Sequence, residues 1–598
     1  MSKISISSQN IRTNYKENGE VYTPYMLAEY AAQKTIHYFL QDYKKNRGKK
    51  SSNKNNSNKI RIIDPACGDG VLLEAIWNEL ENIQLPSEIE DTIHGIDIEK
   101  KAIDDCKRRL SKFLEKKSHI KSLRLINTNA LCPFNEESLA KGWQKIRDRF
   151  GIKEGFDILI ANPPWGADIS KYKYKLDENS FKTLSGQFDS YELFIELALA
   201  IVREGGYFSF IIPDSILNDG KELLRKSLLK NTQIKLISRL GEKIFPRINR
   251  SCIILICRND RPYLSSTTDC FRLNRVQRKM ILRGNLKFYE AEKAGVHEVK
   301  QRRFLLNKNH KFDIDLKESE IMVFKKIQNT TETLQKYLTN SRGVELSRNG
   351  KICRCPSCGL WMPYPKSTRK DCPHCNSPFE VERSVVKYIV HKEKTKNTVS
   401  LIVGHDIKRY QCKPSKWLEA DIPGINYKDP DLYEGKKLLI RKTGVGISAS
   451  IDYSRSYTNQ VVYIFKLKQE IDQIVTLEFI LSLINSRAYF FYITKSFGEN
   501  EWRSHPYLTQ RQIIDLPFPE IRDEKQKNMI REIAELVEPF LQRRTELPKH
   551  VDSKVEHLIG TICGLTRTDY RVIYETINEA QELIPIKALK KIELNEIF

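Results

Sequence analysis

The sequence predicts an α/β protein whose first half is a mostly parallel sheet covered by helices on both faces. A small metal-stapled module, an α+β region and a set of C-terminal helices follow it. Three observations carry this reading. Between residues 60 and 260, short β-rich runs alternate with amphipathic helical stretches, the pattern of a sheet built from strand–helix–strand units. Two Cys-x-x-Cys pairs lie between residues 355 and 375. From 523 to 544, apolar residues recur at three- and four-residue spacing, which is a helical period.

The elements follow in order. Thr23-Pro24 precedes a helix over residues 25–42, since proline is tolerated in a first helical turn. Residues 44–59 hold seven basic side chains, no acidic ones and almost no apolar ones. Such a stretch cannot bury enough surface to offset its ordering entropy and reads as a flexible surface loop. Strands are predicted at 61–64, 92–97, 124–127, 158–161, 206–212, 234–240 and 251–258, with a helix at 71–81 directly behind the first. These close a first domain over 1–260. A basic connecting region over 261–345, a cysteine module over 346–385, a Tyr-, Ile- and Val-rich region over 386–520 and a helical region over 521–598 complete the chain.

At 598 residues the chain holds several domains, at ~100–200 residues each. Hydrophobic content of 40% with 29% charged residues excludes wholesale disorder. No apolar run reaches the ~18 residues that a membrane span needs. The N-terminus MSKISISSQN lacks a basic flank before an apolar core, so no secretory signal is expected and the cytoplasm is the expected compartment. The formal net charge of +24 is uneven. Residues 261–450 carry 38 basic and 20 acidic side chains, whereas 451–598 carry 20 and 22. A basic middle points to a polyanion such as nucleic acid. A general lysine bias would give the same total.

Chemistry enters at the strand ends. The strand at 61–64 ends in Asp64-Pro65-Ala66-Cys67-Gly68-Asp69-Gly70. Glycines between strand and helix let backbone approach a ligand, and the helix start offers unpaired N–H groups. The next strand ends in Asp97, placed where nucleotide-binding folds put the acid that holds ribose hydroxyls; a helix cap is its plain alternative. Together these favour an adenosine-containing ligand. After the strand ending at Ala161 comes Asn162-Pro163-Pro164-Trp165. Two prolines stiffen the backbone and stop a helix. They would aim the Asn162 side-chain oxygen and the Pro163 carbonyl at one spot, where both could hold an exocyclic amino group. Trp165 offers a flat face for a planar base.

On these residues the sequence resembles the γ-class N6-adenine DNA methyltransferases of the TaqI-like branch. The resemblance implies a Rossmann-like fold dependent on S-adenosyl-L-methionine (AdoMet), with Asp64, Ala66, Gly68 and Gly70 in its cofactor motif and Asp97 as the ribose acid. Asn162, Pro163, Pro164 and Trp165 correspond to the catalytic tetrapeptide. Glu20-Val21-Tyr22-Thr23-Pro24 looks like the family's first motif, in which Thr23 would meet the methionine end of AdoMet. Gly186 to Tyr191, with the helix running on to Phe194, matches its next helical motif. Leu240-Gly241-Glu242-Lys243-Ile244-Phe245-Pro246 resembles the segment whose Phe245 stacks on the far face of the target adenine. Two departures stand out: Trp165 replaces the usual Tyr or Phe, and Asn129 replaces the usual Asp at the AdoMet adenine.

Cys355-Pro356-Ser357-Cys358 and Cys372-Pro373-His374-Cys375 are separated by 13 residues. Four thiolates in two turns fit a structural Zn²⁺ in a zinc ribbon; a redox or iron–sulfur role is the alternative. Gly359 suits the turn of the first knuckle, while Cys353 and His374 read as bystanders. Arg348, Lys351, Arg354, Lys366, Arg369 and Lys370 surround the pairs, so the ribbon either touches DNA or braces its neighbours. Further on, Gly404 to Tyr410, Leu439 to Gly444, Ser456 to Gln460 and Leu483 to Ser486 resemble TaqI-like target-recognition domains and type I specificity subunits. Basic and polar residues interleaved with Tyr suit phosphate contact and base-edge readout. Double-stranded DNA is thus the expected substrate, with a separate restriction endonuclease or defence-system subunit as a further partner. RNA or protein-glutamine methylation and a non-enzymatic zinc-bearing DNA binder are the competing readings. Pro213-Asp214 with Asp219-Gly220-Lys221 superficially suggests a nuclease metal site but falls at a core strand end.

Overall fold

The computed structural model describes residues 22–47, 60–83, 93–114 and 124–598, apart from 177, 187, 219, 247–249, 348, 366, 445, 470–472, 499–507 and 581–583. The chain divides into two compact units, Met1–Glu318 and Ser319–Phe598. Among the described residues no helix is long and apolar enough to cross a membrane.

The first unit is built on nine strands: β1 (Ile62–Asp64), β2 (Ile93–Asp97), β3 (Arg124–Asn127), β4 (Phe156–Ala161), β5 (Val202–Pro213), β6 (Gln233–Gly241), β7 (Cys252–Arg258), β8 (Thr267–Arg272) and β9 (His297–Lys300). Their order is β3-β2-β1-β4-β5-β7-β6-β8-β9. Strands β3 to β5 pair in parallel, while β7 is antiparallel to both its neighbours. Every residue of β1 and β4 is buried, as expected of central parallel strands covered on both faces. Helix α1 (Tyr25–Arg47) lies on the sheet through the hydroxyl pair Tyr30–Ser238 at 3.0 Å and through Tyr38 donating to Asp269. Helix α2 (Val71–Asn82) buries Val71, Leu72, Ala75, Ile76 and Trp77. The chain order reverses between β1 and β4, a switch point whose carboxyl ends open a crevice for ligands.

Three sequence expectations shift here. Helix α1 continues to Arg47 rather than ending at 42, because Lys44, Lys45 and Arg47 are good helix formers and no breaker precedes Gly48. The first part of the expected loop at 44–59 is therefore helical, and residues 48–59 lie outside the described residues. The sheet does not stop at 260: β8 adds in parallel to β6, and β9 adds antiparallel to β8. The expected basic connecting region is thus divided, its first part completing the sheet and its remainder beginning the second unit.

The second unit carries a four-stranded antiparallel sheet of Leu338–Arg342, Val462–Leu467, Lys437–Arg441 and Ala449–Asp452. A second sheet joins Val390–His391, Lys416–Glu419, Thr398–Ile402 and Tyr457–Thr458. Helices begin at Leu477–Asn485 and Arg487–Phe497, before the expected boundary at 521. Glu524–Arg543, Lys549–Ile562 and Arg567–Glu579 share a core with them.

Candidate active site and metal centre

The Gly-rich turn behind β1 sits at the switch point. Asp64 is 1% exposed; its Oδ1 accepts the Ala66 N–H at 3.0 Å and its Oδ2 has no hydrogen-bond partner. Burial pushes the Asp64 carboxyl well above the usual carboxylate range, and the Ala66 N–H only partly opposes this. Gly68 and Gly70 both take the left-handed region, with φ of +52° and +83°. A Cβ at Gly70 would stand 2.7 Å from the Cys106 sulfur, whereas at Gly68 it would meet open space. Asp97, at the end of β2, accepts the Gly68 N–H at 2.9 Å through Oδ2 and the Glu99 N–H at 2.9 Å through Oδ1. Its carboxyl is raised by burial against those two donors. One Asp97 oxygen thus braces the Gly-rich turn, and the other holds the backbone just ahead of the helix Lys100–Leu114. Asn129 accepts the Leu131 N–H at 2.9 Å and is half-buried.

Asn162 follows the buried end of β4, and its Nδ2 donates to Thr23 Oγ1 at 2.9 Å. The first motif and the tetrapeptide thus meet in space; Glu20 and Val21 lie outside the described residues. The tetrapeptide is clamped by helix α3 (Ser190–Ile201). Ser190 Oγ donates to the Pro164 carbonyl at 2.5 Å and accepts the Ala167 N–H at 3.1 Å. Asp189 Oδ1 accepts the Gly166 N–H at 2.7 Å, and Arg250 pairs with the same carboxylate. This gives the Gly186–Tyr191 motif a physical task; Gln187 lies outside the described residues. Trp165 Nε1 donates to the Ile211 carbonyl at 3.3 Å.

Trp165 and Phe245 do come together, but not as an open sandwich. Their centroids are 5.0 Å apart with planes at 83°, and both rings are buried. A base between parallel rings needs ~7 Å, so the two must part to admit one. Pro213-Asp214…Lys221 is no nuclease centre. Asp214 forms a buried pair with Arg239 at 2.7 Å and Lys221 pairs with Glu192; Asp219 lies outside the described residues.

The four cysteines converge as their spacing implied. The Sγ atoms of Cys355, Cys358, Cys372 and Cys375 lie within 4.8 Å of one another, with Cys355–Cys375 at 3.8 Å and Cys358–Cys372 at 3.7 Å. A tetrahedron with ~2.3 Å Zn–S bonds has edges of ~3.8 Å. Each knuckle joins two antiparallel strands, Lys351–Arg354 with Trp361–Pro363 and Arg369–Asp371 with Pro378–Glu380. Each also turns on a left-handed residue after its second cysteine: Gly359 at φ +75° and Asn376 at φ +57°. Cys353 is buried apart from the cluster, and His374 Nε2 lies 3.2 Å from the Gly424 carbonyl. Arg354 Nε donates to the Gly359 carbonyl at 2.8 Å, and the Lys351 ammonium sits 3.5 Å over the Tyr364 ring. Arg348 and Lys366 lie outside the described residues.

Many side chains of the recognition motifs are internal and build the domain, whereas His405, Lys408 and Thr443 are exposed. Arg409 makes paired bonds to Asp552 at 2.6 and 2.8 Å, and Tyr410, Tyr457 and Thr458 are buried. Asn485 Nδ2 donates to the Ala449 carbonyl at 3.1 Å, and Gln460 brackets Leu346 through both its backbone groups. Sequence reasoning also missed Asp189, Ser190 and Arg250 as supports of the tetrapeptide; only the position of Asp189 and Ser190 at a helix start signalled them.

Fold and site define the class: an α/β unit with the AdoMet-dependent methyltransferase fold, joined to a C-terminal domain. Two family models match in series, the Eco57I restriction-modification methylase at residues 91–245 and the TaqI-like C-terminal specificity domain at 399–518. By these matches the chain is similar to TaqI-like restriction-modification methyltransferases. The Type II methyltransferase M.BanIII of Aneurinibacillus aneurinilyticus is 28% identical over 255 residues, covering 40% of this chain and 39% of that protein. M.VspI of Vibrio sp. is 24% identical over 312 residues, covering 52% of this chain and 64% of its own length. The chain thus matches from about two-fifths to just under two-thirds of these relatives. The Type IIL restriction-modification enzyme MmeI, solved in complex with DNA, shares the fold with a TM-score of 0.50 at 13% identity, over 98% of this chain and 79% of that one.

Proposed function

We propose that the chain is a site-specific DNA methyltransferase that methylates N6 of a flipped-out adenine in duplex DNA. The observation that carries this is the position of Asn162 at the carboxyl end of β4, joined to Thr23 by a hydrogen bond. The residues present fit AdoMet. Asp64 keeps a buried carboxylate oxygen without a partner, and Gly68 leaves open space where any other residue would place a Cβ. Thr23, Asp64, Ala66, Gly68, Gly70, Asp97 and Asn129 would hold the cofactor, which supplies an electrophilic sulfonium methyl group when bound.

The chain's own residues do the rest by position. A paired adenine must leave the stack at a cost of about a few kcal/mol. Trp165 and Phe245 would part and stack on its two faces, recovering some of that cost. Asn162 Oδ1 and the Pro163 carbonyl would accept the two amino hydrogens, so the nitrogen lone pair stays available. Holding the amine in line is the main source of rate. Cys355, Cys358, Cys372 and Cys375 would hold one Zn²⁺, which gives a module with little core its folding energy. The competent partner is double-stranded DNA; a cognate restriction endonuclease or defence subunit on a separate chain fits this reading, as does a cytoplasmic, nucleoid-associated location.

Labelled AdoMet offered with duplex DNA, RNA and protein tests the assignment. Label is expected in duplex DNA, at adenine N6 by nucleoside analysis. Asn162→Ala is expected to abolish transfer while calorimetry shows AdoMet binding intact. Label in RNA or protein, or full activity in Asn162→Ala, overturns it.

A further inference from the structure

Arg250 stands on the rim of the sheet that carries the tetrapeptide, with most of its donors unused. It lies two residues before β7, and Cys252 opens that strand opposite Pro213, the last residue of β5. Strand β5 runs parallel to β4, which ends at Ala161. The start of β7 therefore shares an edge with Asn162–Trp165. Arg250 Nη2 donates to Asp189 Oδ2, while Asp189 Oδ1 accepts the Gly166 N–H at 2.7 Å. One carboxylate thus joins Arg250 to the residue that leaves the tetrapeptide. The guanidinium also lies against bare backbone there. Gly166 takes the left-handed region at φ +67°, and a Cβ on it would stand 3.6 Å from Arg250 Nη1.

Two features separate this pair from an internal brace. Arg409 grips both oxygens of Asp552 through Nη1 and Nη2. Arg250 gives Asp189 only Nη2, and among the described residues its Nε and Nη1 meet no acceptor. Its side chain is also 37% exposed against 14% for Asp189, so the carboxylate faces inward and the guanidinium outward. Lys221 and Arg239, paired with Glu192 and Asp214, are far less exposed. A nucleotide flipped from a duplex turns about its backbone, so its flanking phosphates stay at the mouth while the base enters. A guanidinium matches a phosphate through parallel N–H groups. We propose that Arg250 binds a backbone phosphate beside the flipped adenine while keeping its bond to Asp189. It thereby registers the DNA backbone against the tetrapeptide, as a positioning residue that acts through Asp189 and Gly166. Lysine, a point charge without the planar fork, does not hold both anions in one geometry. The proposal rests on the DNA methyltransferase reading and adds a backbone contact to it.

The test uses the full chain with AdoMet and a synthetic duplex carrying the site that wild type methylates. Phosphates around the target adenine are replaced one at a time by uncharged methylphosphonates, and single-turnover rates are compared. In wild type, one position is expected to lower the rate by ~10- to 100-fold. Arg250→Gln is expected to show a similar loss on the unmodified duplex and no further loss at that position. Its salt slope of DNA binding should fall by about one, with AdoMet affinity unchanged. Arg250→Lys is expected to restore the salt slope but not the rate. Losses that multiply when Arg250→Gln meets the modified duplex would make Arg250 a brace of Asp189 alone and overturn the proposal. A fall in AdoMet affinity as large as the fall in rate would assign Arg250 to a cofactor carboxylate and overturn it as well. The wild-type scan needs no variant, so equal rates at every replaced phosphate overturn the proposal even where both variants melt early. A wild type that methylates no duplex DNA overturns this proposal together with the functional reading, whereas an active wild type with a flat scan removes the proposal alone.

Discussion

Thr23 and Asn162, 139 residues apart in sequence, share a hydrogen bond of 2.9 Å in which the Asn162 amide donates to the Thr23 hydroxyl. One side chain assigned to the cofactor thereby fixes the rotamer of the one assigned to the base. The donor Nδ2 is held, which leaves Oδ1 as the end of the amide that can accept a hydrogen from an amine. Thr23→Val keeps the shape and removes the acceptor. It is expected to lower the single-turnover rate by ~10- to 100-fold, with a smaller change in AdoMet affinity by calorimetry. Equal loss in both quantities would show that Thr23 serves the cofactor alone.

The edge-to-face contact of Trp165 and Phe245, at 5.0 Å and 83°, closes the place a base would occupy. Such a pair is worth ~0.5–1.5 kcal/mol beyond its buried area, so opening costs little against the stacking it permits. With 2-aminopurine at the target position, wild type is expected to give a quenched, stacked signal only after the rings part. Phe245→Leu should leave the extrahelical base bright and slow the transfer by ~10-fold or more. An unchanged signal would place the base elsewhere.

For the metal centre, one zinc per chain is expected by elemental analysis. Cys355→Ser and Cys372→Ser remove buried ligands and should lose the metal and melt the 346–385 module. Cys353→Ser, buried but outside the cluster, should retain full occupancy. Zinc lost from the Cys353 variant would reassign the ligand set.

The Arg409–Asp552 pair ties the start of the recognition motif to the helix Lys549–Ile562, with Arg487 on the same carboxylate at 3.5 Å. Burial alone would raise the Asp552 carboxyl, but Arg409 and then Arg487 hold it below the usual range. Its stabilising contribution is therefore present above the unfolded pKa and is lost as pH falls through the lower folded value. Arg409→Met leaves that carboxylate with half its partners and is expected to cost ~3–5 kcal/mol, read as a lower denaturant midpoint. A loss below ~1 kcal/mol would mean that Arg487 suffices.

How far the sequence reached depends on the range of the interactions involved. The Gly-rich turn, the tetrapeptide and both cysteine knuckles were legible because each is local: Gly70 needs its φ of +83°, and each knuckle closes within a few residues. The helix behind β1 was placed to within a residue, since Val71 to Leu80 carries its own period. Tertiary pairing was not legible. Nothing in Thr267–Arg272 announces that it pairs with a strand some thirty residues earlier, and its alternation resembles that of a loop. Arg409 and Tyr410 read as a polar face because charge and hydroxyl usually mean surface, and only Asp552, far along the chain, turns the arginine inward. The same blindness hid the clamp of Asp189 and Ser190 on the tetrapeptide.

In the proposed cofactor site, Asp64 would set stability against binding. Its carboxyl is buried, receives one N–H from Ala66, and is pushed well above the usual range mainly by burial. A folded-state pKa raised above the unfolded one means that the native state binds more protons between the two values. The contribution of Asp64 to stability is therefore complete below the unfolded pKa and is lost as pH rises through the folded pKa. At neutral pH the ligand-free protein carries that cost, and Asp64→Asn removes it while keeping the shape and the Ala66 contact. The variant is expected to melt at or above the wild-type temperature at pH 7–8, with the difference shrinking as the buffer is acidified. AdoMet affinity should move the other way, falling by ~10-fold or more, because the uncharged amide is the weaker acceptor. Thermal shift from pH 5 to 8, with and without cofactor, reads both trends. A variant less stable than wild type at every pH would show Asp64 to be held as a structural hydrogen-bond acceptor instead.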